Sequence, residues 1–560
     1  MADRVSNVTI VGGGTAGWLT ACIVHTFLNR RSDQRPVQVT LIESPNTPTI
    51  GVGEATVPGM VRLLSQLKID ESRFFRECNS SFKLGVRFQD WNRSKKGTPQ
   101  SFVHPFQAAP YIDGFPVAYY YHAFAKGDFV DATLPQMTAI DNLKAPREMG
   151  AKDYESSMSY AYHLDAGKFA GFLRDVCVER GVEHILDDLQ DVEVGEDGRI
   201  TSLQFERTGR REVELVIDCT GFRGVIMRQA LKEPRIPWTN HLLNDRALAV
   251  QIDHDDQTHL EPFTRSTALS AGWVWNVPLY HRIGTGYVYS SAFKTEDQAM
   301  EEFLAHLGPR AQGKTPRGIK MEVGRTERSW VGNCIAVGLS GGFIEPLEST
   351  AIYLIEMAAR WIVDLFPDAG ISEPLARRYN QRMERLYAEV RDFVMLHYLL
   401  SNRTGDYWEA ARNEVDVSDW LKNNLDVWQY TLPYALDVAG NSLFNEWNFI
   451  FVLMGKRFYA DRELSMDSLL QQDRWREYSA TIDKKKRAVM TKLPSHYELL
   501  AKVHGDLGDK PKQAAKGEGA DELLSAFLSA QPSFTGSTTA AVTPTGFDPS
   551  RFKRGPTVKH

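Results

Sequence analysis

Three glycines, Gly12, Gly14 and Gly17, stand in G-x-G-x-x-G spacing between the apolar run 8–11 and the helical pattern 19–24. That arrangement reads as strand, tight turn and helix, a cradle for the pyrophosphate of a dinucleotide. Gly12 permits the turn, Gly14 admits a close backbone approach, and Gly17 lets the helix lie on the strand. The first helical positions, Thr15 and Ala16, then present free amides and the positive end of the helix dipole to phosphate. A second strand, 37–42, ends at Glu43, placed to accept a ribose hydroxyl. Further along, Lys83 and Arg87 share one face of an alternating segment whose other face carries Phe82, Leu84, Val86 and Phe88. A lysine in such a pattern is ordinarily solvated. Glu348, Ser349 and Thr350 precede an apolar helical pattern over 351–365, a second helix N-terminus suited to an anion or to the polar edge of a flavin. Ser349 and Thr350 are its candidate caps, and Glu348 taken alone reads as a helix N-terminal charge.

The elements that must position these groups follow from the pattern. After the first βαβ unit, Gly51 and Gly53 lead to Pro58 in a strap of backbone fit to lie against something flat. Residues 82–88 read as one strand. The aromatic-rich stretch from His104 and Phe106 to Tyr121 reads as a loop able to line a pocket or join the core. A helix is expected over 159–180, strands at 191–194, 200–205 and 214–218, and several antiparallel strands over 246–293. Residues 334–338 form a buried strand, and helices dominate from 374 to about 505. The last stretch, 506–560, rich in Gly, Ser, Thr, Pro, Ala and Lys, reads as a mostly disordered tail.

The chain of 560 residues is long enough for two or three domains. A net charge of -6 gives no electrostatic case for binding nucleic acid or an anionic membrane. Five scattered cysteines without C-x-x-C spacing argue against a disulfide framework or a zinc site, and no metal is expected. Without a secretory leader pattern or a membrane-length apolar run, the expectation is a cytoplasmic protein.

The Gly-rich unit, taken with Val337 and Gly338 and the helix after Pro346, resembles the FAD domain of flavin monooxygenases. Within that superfamily, Trp273-x-Trp275-x-x-Pro278 resembles the W-x-W-x-I-P signature of the flavin-dependent tryptophan halogenases, with Val277 in the isoleucine place. The segments 51–58, 82–85 and 346–350 resemble that family too, so the likeness spans about residues 7–455 with five motifs in order. It implies an α/β (α+β) flavin-monooxygenase-like FAD-binding fold over 1–370, a mainly helical substrate subdomain over 371–505, and the tail. It further implies an enzyme to which a separate flavin reductase delivers FADH2, and which uses O2 and chloride or bromide to make hypohalous acid. Lys83 would hold that reagent by a hydrogen bond or as a haloamine beside the substrate, which confers regioselectivity. Glu348 would polarise the reagent and stabilise or deprotonate the cationic ring.

The resemblance assigns Gly12, Gly14, Thr15, Ala16, Gly17, Glu43, Val52, Leu339, Ser349 and Ile352 to the cofactor. Backbone amides of Thr350 and Ala351 would hold the halide, although the family commonly has glycine at the latter place. Trp273 and Trp275 would form a barrier beside the flavin, with core packing as the plainer reading. His104 and Phe106 match the pair that sandwiches an indole, and Trp447 resembles a third pocket aromatic. The family's tryptophan-specific members also clamp the amino acid's two charges with paired tyrosines and a glutamate. Here that stretch reads Pro433-Tyr434-Ala435-Leu436 and then Asn441-Ser442-Leu443. Charged groups without partners are costly to hold, so indole, a substituted indole or a larger indole-bearing or phenolic compound is expected rather than free tryptophan. A homodimer stays open. Two rival readings are an aromatic hydroxylase on the same fold, taking NAD(P)H directly, and a non-catalytic escort protein without flavin.

Overall fold

The β-branched run at 8–11 forms the strand Asn7–Val11 in a six-stranded sheet, in the computed structural model that describes residues 4–30, 36–47, 53–368 and 370–506. The sheet order is Glu183–Leu186, Gln38–Glu43, Asn7–Val11, Leu215–Asp218, Cys334–Ala336 and Trp330–Val331, parallel except for the last pair. Strands covered on both faces are continuously apolar rather than alternating, and Val8, Ile10, Leu41, Leu215 and Ile335 are fully buried. The helices Thr15–Leu28 and Ala351–Asp364 pack side by side, and the first begins just past the C-terminal end of Asn7–Val11, where a doubly wound fold binds its ligand.

A seven-stranded sheet lies beyond it, in the order Arg317–Lys320, Arg246–Ile252, Ile283–Tyr289, Gly272–Pro278, Thr264–Leu269, Gly85–Arg93, Pro99–Pro105. A three-stranded sheet joins Gly53–Ala55, Ala161–Asp165 and Ser81–Lys83. Two expectations are corrected here. Residues 82–88 are not one strand: the chain leaves the small sheet at Lys83 and enters the large one at Gly85, because the Leu84 amide bonds the Pro262 carbonyl instead of a ladder partner. Alternation therefore no longer sends Lys83 to water, and it is fully buried. The helix expected over 159–180 begins only at Ala166, since Asp165 caps it by accepting from the Gly167 and Lys168 amides and 161–165 pair as a strand.

Beyond Ser372 the chain is helical. Glu373–Leu399, with Pro374 in its first turn, is the longest of these helices, and Asp406–Asn413, Asp419–Val427, Glu446–Gly455, Gln472–Lys492 and His496–His504 follow. One contiguous apolar core reaches from Val5 to Ala501 and includes Phe393, Trp447 and Leu500. Val52 and the tail from 507 onward lie outside the described residues. No helix among the described residues is long and apolar enough to cross a membrane.

Candidate active site

The Gly-rich turn is built as its spacing demands. Gly12 holds φ at +114°, a conformation that L side chains rarely adopt, and a Cβ on Gly17 would stand 1.8 Å from the Gly12 carbonyl oxygen. A Cβ on Gly14 would meet nothing within 4 Å, because that position opens into a cavity of about 500 Å³. Gly14 is also the N-cap of Thr15–Leu28 and supplies no side-chain cap, leaving the first amides free for an anion. Thr15, Ala16, Glu43, Leu339, Ser349 and Ala351 line the same cavity, as does Trp275. Gly17 serves packing rather than lining. Glu43 Oε1 accepts from His184 Nε2 at 2.8 Å, and its carboxylate lies so close under the turn that a Cβ on Gly13 would be 1.6 Å from its oxygen. Glu54 also lines the cavity; burial and then the charge of Asp165 push its carboxyl up to about 7. A turn with free amides, an acid below it and an elongated, largely apolar chamber fit a flavin dinucleotide.

Lys83 stands at the other side of the same wall. Its Nζ donates to Ser349 Oγ at 2.7 Å and to the Thr56 carbonyl at 3.2 Å, and lies 4.9 Å from the centre of the Phe106 ring. Burial, only partly opposed by the charge of Glu348, brings this lysine down to about 7. Ser349 has φ +60°, an uncommon left-handed geometry for a residue with a side chain. Its hydroxyl faces Lys83 while the residue itself lines the flavin cavity, so one residue touches both the lysine and the cavity. The capping expectation is corrected accordingly: Thr350 is the N-cap of Ala351–Asp364, but neither Ser349 nor Thr350 caps through its side chain. Thr350 Oγ1 is instead buried without a partner beside the helix's first amides. Thr350 and Ile352 are buried and do not line the cavity.

Glu348 is buried as well, held between two imidazoles. His104 Nδ1 lies 3.0 and 3.1 Å from its two oxygens, and His397 Nε2 lies 2.7 Å from Oε1 without an aligned hydrogen bond, its imidazole lowered by burial to about 4. Asn448 settles the orientation of His104. Its Oδ1 accepts the Asn445 amide at 2.8 Å in a capping box, so its NH2 group faces His104 Nε2 at 2.9 Å. Nε2 is thus the acceptor, and the proton sits on Nδ1 toward Glu348. Burial alone would raise the Glu348 carboxyl, but its electrostatic and hydrogen-bonding interaction with His104, and after it the contact with His397, outweigh burial and hold it down at about 2. Sequence reasoning missed Asn448 and His397. Asn448 had one signal, its place next to Trp447, whereas His397 lies unmarked on a charged helical stretch.

His104 is thereby a support for Glu348 with both ring nitrogens engaged, and Phe106 lies beneath Lys83. Trp447, 3% exposed, packs on Phe451 and edge-on against Tyr111. Trp273 and Trp275 meet edge to face, with centroids 6.3 Å apart. Only Trp275 faces the flavin cavity; Trp273 Nε1 donates to Glu345 Oε2 at 2.9 Å, which also takes Tyr398 OH and Asn244. Pro278 ends their strand, and its carbonyl accepts from Ser81 Oγ.

The tryptophan halogenase family model matches residues 7–471. The chain belongs to the tryptophan halogenase family. It is 34% identical to tryptophan 7-halogenase RebH of Lentzea aerocolonigenes, over 90% of this chain and 100% of that protein. Its identity to tryptophan 6-halogenase ThaL of Streptomyces albogriseolus is 33%, over 90% of this chain and 100% of the relative. A solved tryptophan halogenase from Shewanella frigidimarina superposes with a TM-score of 0.83 at 32% identity, covering 90% of this chain and 98% of that one. BrvH, a flavin-dependent halogenase from Brevundimonas sp. BAL3, gives 0.79 at 32% identity, covering 89% and 99%. The protein is therefore a flavin-dependent halogenase, on the flavin-monooxygenase-like fold expected, and FAD, halide and O2 go with the family. The hydroxylase and escort readings are not favoured.

Proposed function

We propose that this halogenase uses Lys83 and Glu348 to place an electrophilic halogen on an indole-type compound other than free tryptophan. The observation that carries the reading is Ser349, which lines the flavin cavity and receives Lys83 Nζ at 2.7 Å. Reduced FAD, brought by a separate reductase, supplies with O2 and halide the hypohalous acid that the family's chemistry requires. Gly12, Gly14, Thr15, Ala16, Glu43, Leu339, Ser349 and Ala351, which line the cavity, would hold the flavin dinucleotide. The amides of Thr350 and Ala351 at the N-terminus of Ala351–Asp364, with the unpartnered Thr350 hydroxyl, would take the halide ion. Lys83 receives the reagent at Nζ, where a buried lysine brought down to about 7 is able to donate a hydrogen bond or to act as an amine. Glu348, kept ionised by His104, stabilises the ring cation electrostatically and accepts the proton lost from the halogenated carbon. Phe106 and Trp447 wall the aromatic substrate, while His104 serves chiefly to aim Glu348. The stretch 433–443 offers no tyrosine pair and no glutamate for an amino acid's two charges, which favours a substrate without a carboxylate.

The test supplies FADH2 from a generic flavin reductase, with bromide or chloride, and gives the enzyme indole and tryptophan in parallel. Mass spectrometry is expected to find monohalogenated indole, little halogenated tryptophan, and no product from Lys83→Ala. Efficient halogenation of tryptophan overturns the substrate reading, and product from Lys83→Ala overturns the role of the lysine.

A further inference from the structure

The helix Glu446–Gly455 lays three consecutive residues across the substrate side. Successive helical residues are turned by about 100°, so Glu446, Trp447 and Asn448 fan out over roughly 200°. Asn448 points inward to His104 and through it to Glu348. Trp447 is the buried wall between. Glu446 faces outward, where its Oε1 accepts the hydroxyl of Tyr111 at 3.0 Å, and the Tyr111 ring stands edge-on to Trp447 at 5.4 Å. Glu446 is not needed as a helix cap, since Asn445 and Asn448 already form the capping box. Among the described residues no lysine, arginine or histidine forms an ion pair with its carboxylate. Its surroundings are aromatic: Tyr111 is 44% exposed, and Tyr434, 53% exposed, lies near enough to weigh with burial and Glu446 on the Tyr111 phenol, whose ionisation all three oppose.

We propose that the Glu446 carboxylate and the Tyr111 ring receive the protonated amine of an aminoalkyl indole, making an indole-ethylamine type of compound the preferred substrate class. The inference rests on the reading that Trp447 walls the substrate pocket. An unpaired carboxylate edged by an exposed tyrosine face suits an organic ammonium, which gains a charge-assisted hydrogen bond and cation–π contact together. The same group repels a substrate carboxylate, so an amino acid is disfavoured for a second reason besides the missing clamp.

The full chain, with reductase-supplied FADH2 and bromide, is to be assayed on tryptamine, indole, tryptophan and indole-3-propionate. The kcat/KM for tryptamine is expected to exceed those for tryptophan and indole-3-propionate by about tenfold or more, the difference lying in KM. Glu446→Gln is expected to reduce the tryptamine-to-indole ratio by about tenfold, and Tyr111→Phe to reduce it less. Calorimetric titration of the flavin-free protein with tryptamine gives a readout independent of turnover, and the binding is expected to weaken in Glu446→Gln. Equal treatment of tryptamine and indole-3-propionate, or tryptamine binding indifferent to Glu446→Gln, overturns the proposal. Halogenated indole with no tryptamine preference sinks this inference and leaves the halogenase chemistry standing. Failure to halogenate any of the four compounds, with tryptamine binding that depends on Glu446, sinks the indole-halogenation reading instead.

Discussion

Lys83 and Glu348 are both removed from water, yet burial leaves them in opposite condition. The lysine has only a hydroxyl and a carbonyl as partners and falls to about 7; the carboxylate has two imidazole contacts and is held at about 2. Lys83 is protonated in both the folded and the unfolded chain below pH 7, and above about 10.5 in neither. Between those values the unfolded chain binds the extra proton, so stability relative to Lys83→Met is expected to rise with pH, by at most about 1.4 kcal/mol per unit. Denaturant titrations of both proteins at pH 7, 8 and 9 check this. Activity follows the same residue: Lys83→Met is expected to lose halogenation by at least about 10²-fold while still binding FAD, measured by turnover and by flavin titration. The residues that support this pair were the least legible. Lys83 and Glu348 stood in motifs, but His397 and Asn448 meet the site only in three dimensions, and Asn448 lies 344 positions from the histidine it orients.

At the level of elements, Glu389 holds the loop before Glu446–Gly455 through that loop's backbone amides. Both Glu389 oxygens accept backbone amides, from Ser442 on one side and from Leu443 and Phe444 on the other, and Phe444 stacks on Phe393 at 3.8 Å. Glu389→Leu would strand three amides, and is expected to cost about 1–3 kcal/mol and to raise KM for the aromatic substrate more than it lowers kcat. Thermal unfolding and steady-state kinetics check both. In the Gly-rich turn, Gly17→Ala would force a Cβ to 1.8 Å from the Gly12 carbonyl oxygen, so flavin affinity and stability are expected to fall together. The strand–turn–helix of the nucleotide site was legible because local periodicity and glycine spacing decide it. The segment around Lys83 was not, since a tertiary bond from Leu84 to Pro262 splits one apparent strand between two sheets.

Across the whole molecule, the apolar core runs without a break from the nucleotide sheet to the C-terminal helices. Contacts such as His397 with Glu348 and Asn448 with His104 tie the two regions through polar groups as well. A single calorimetric transition is therefore expected across the described residues, in place of separate melting of a helical part. Added FAD is expected to stabilise the protein by about 2.7 kcal/mol at a hundredfold excess over its dissociation constant, seen as a concentration-dependent Tm.

If the proposed roles hold, the turn at Ser349 fixes how far the place where the oxidant forms can be from the lysine that receives it. Three successive residues, Glu348, Ser349 and Thr350, meet His104, Lys83 and the start of the helix Ala351–Asp364 in turn, and Ser349 borders the cavity at the Gly-rich turn as well. That separation is set by covalent chain, so it stays constant while the helices and loops opposite are free to change. A lineage built on such a partition wall is able to exchange customers without retooling the workshop.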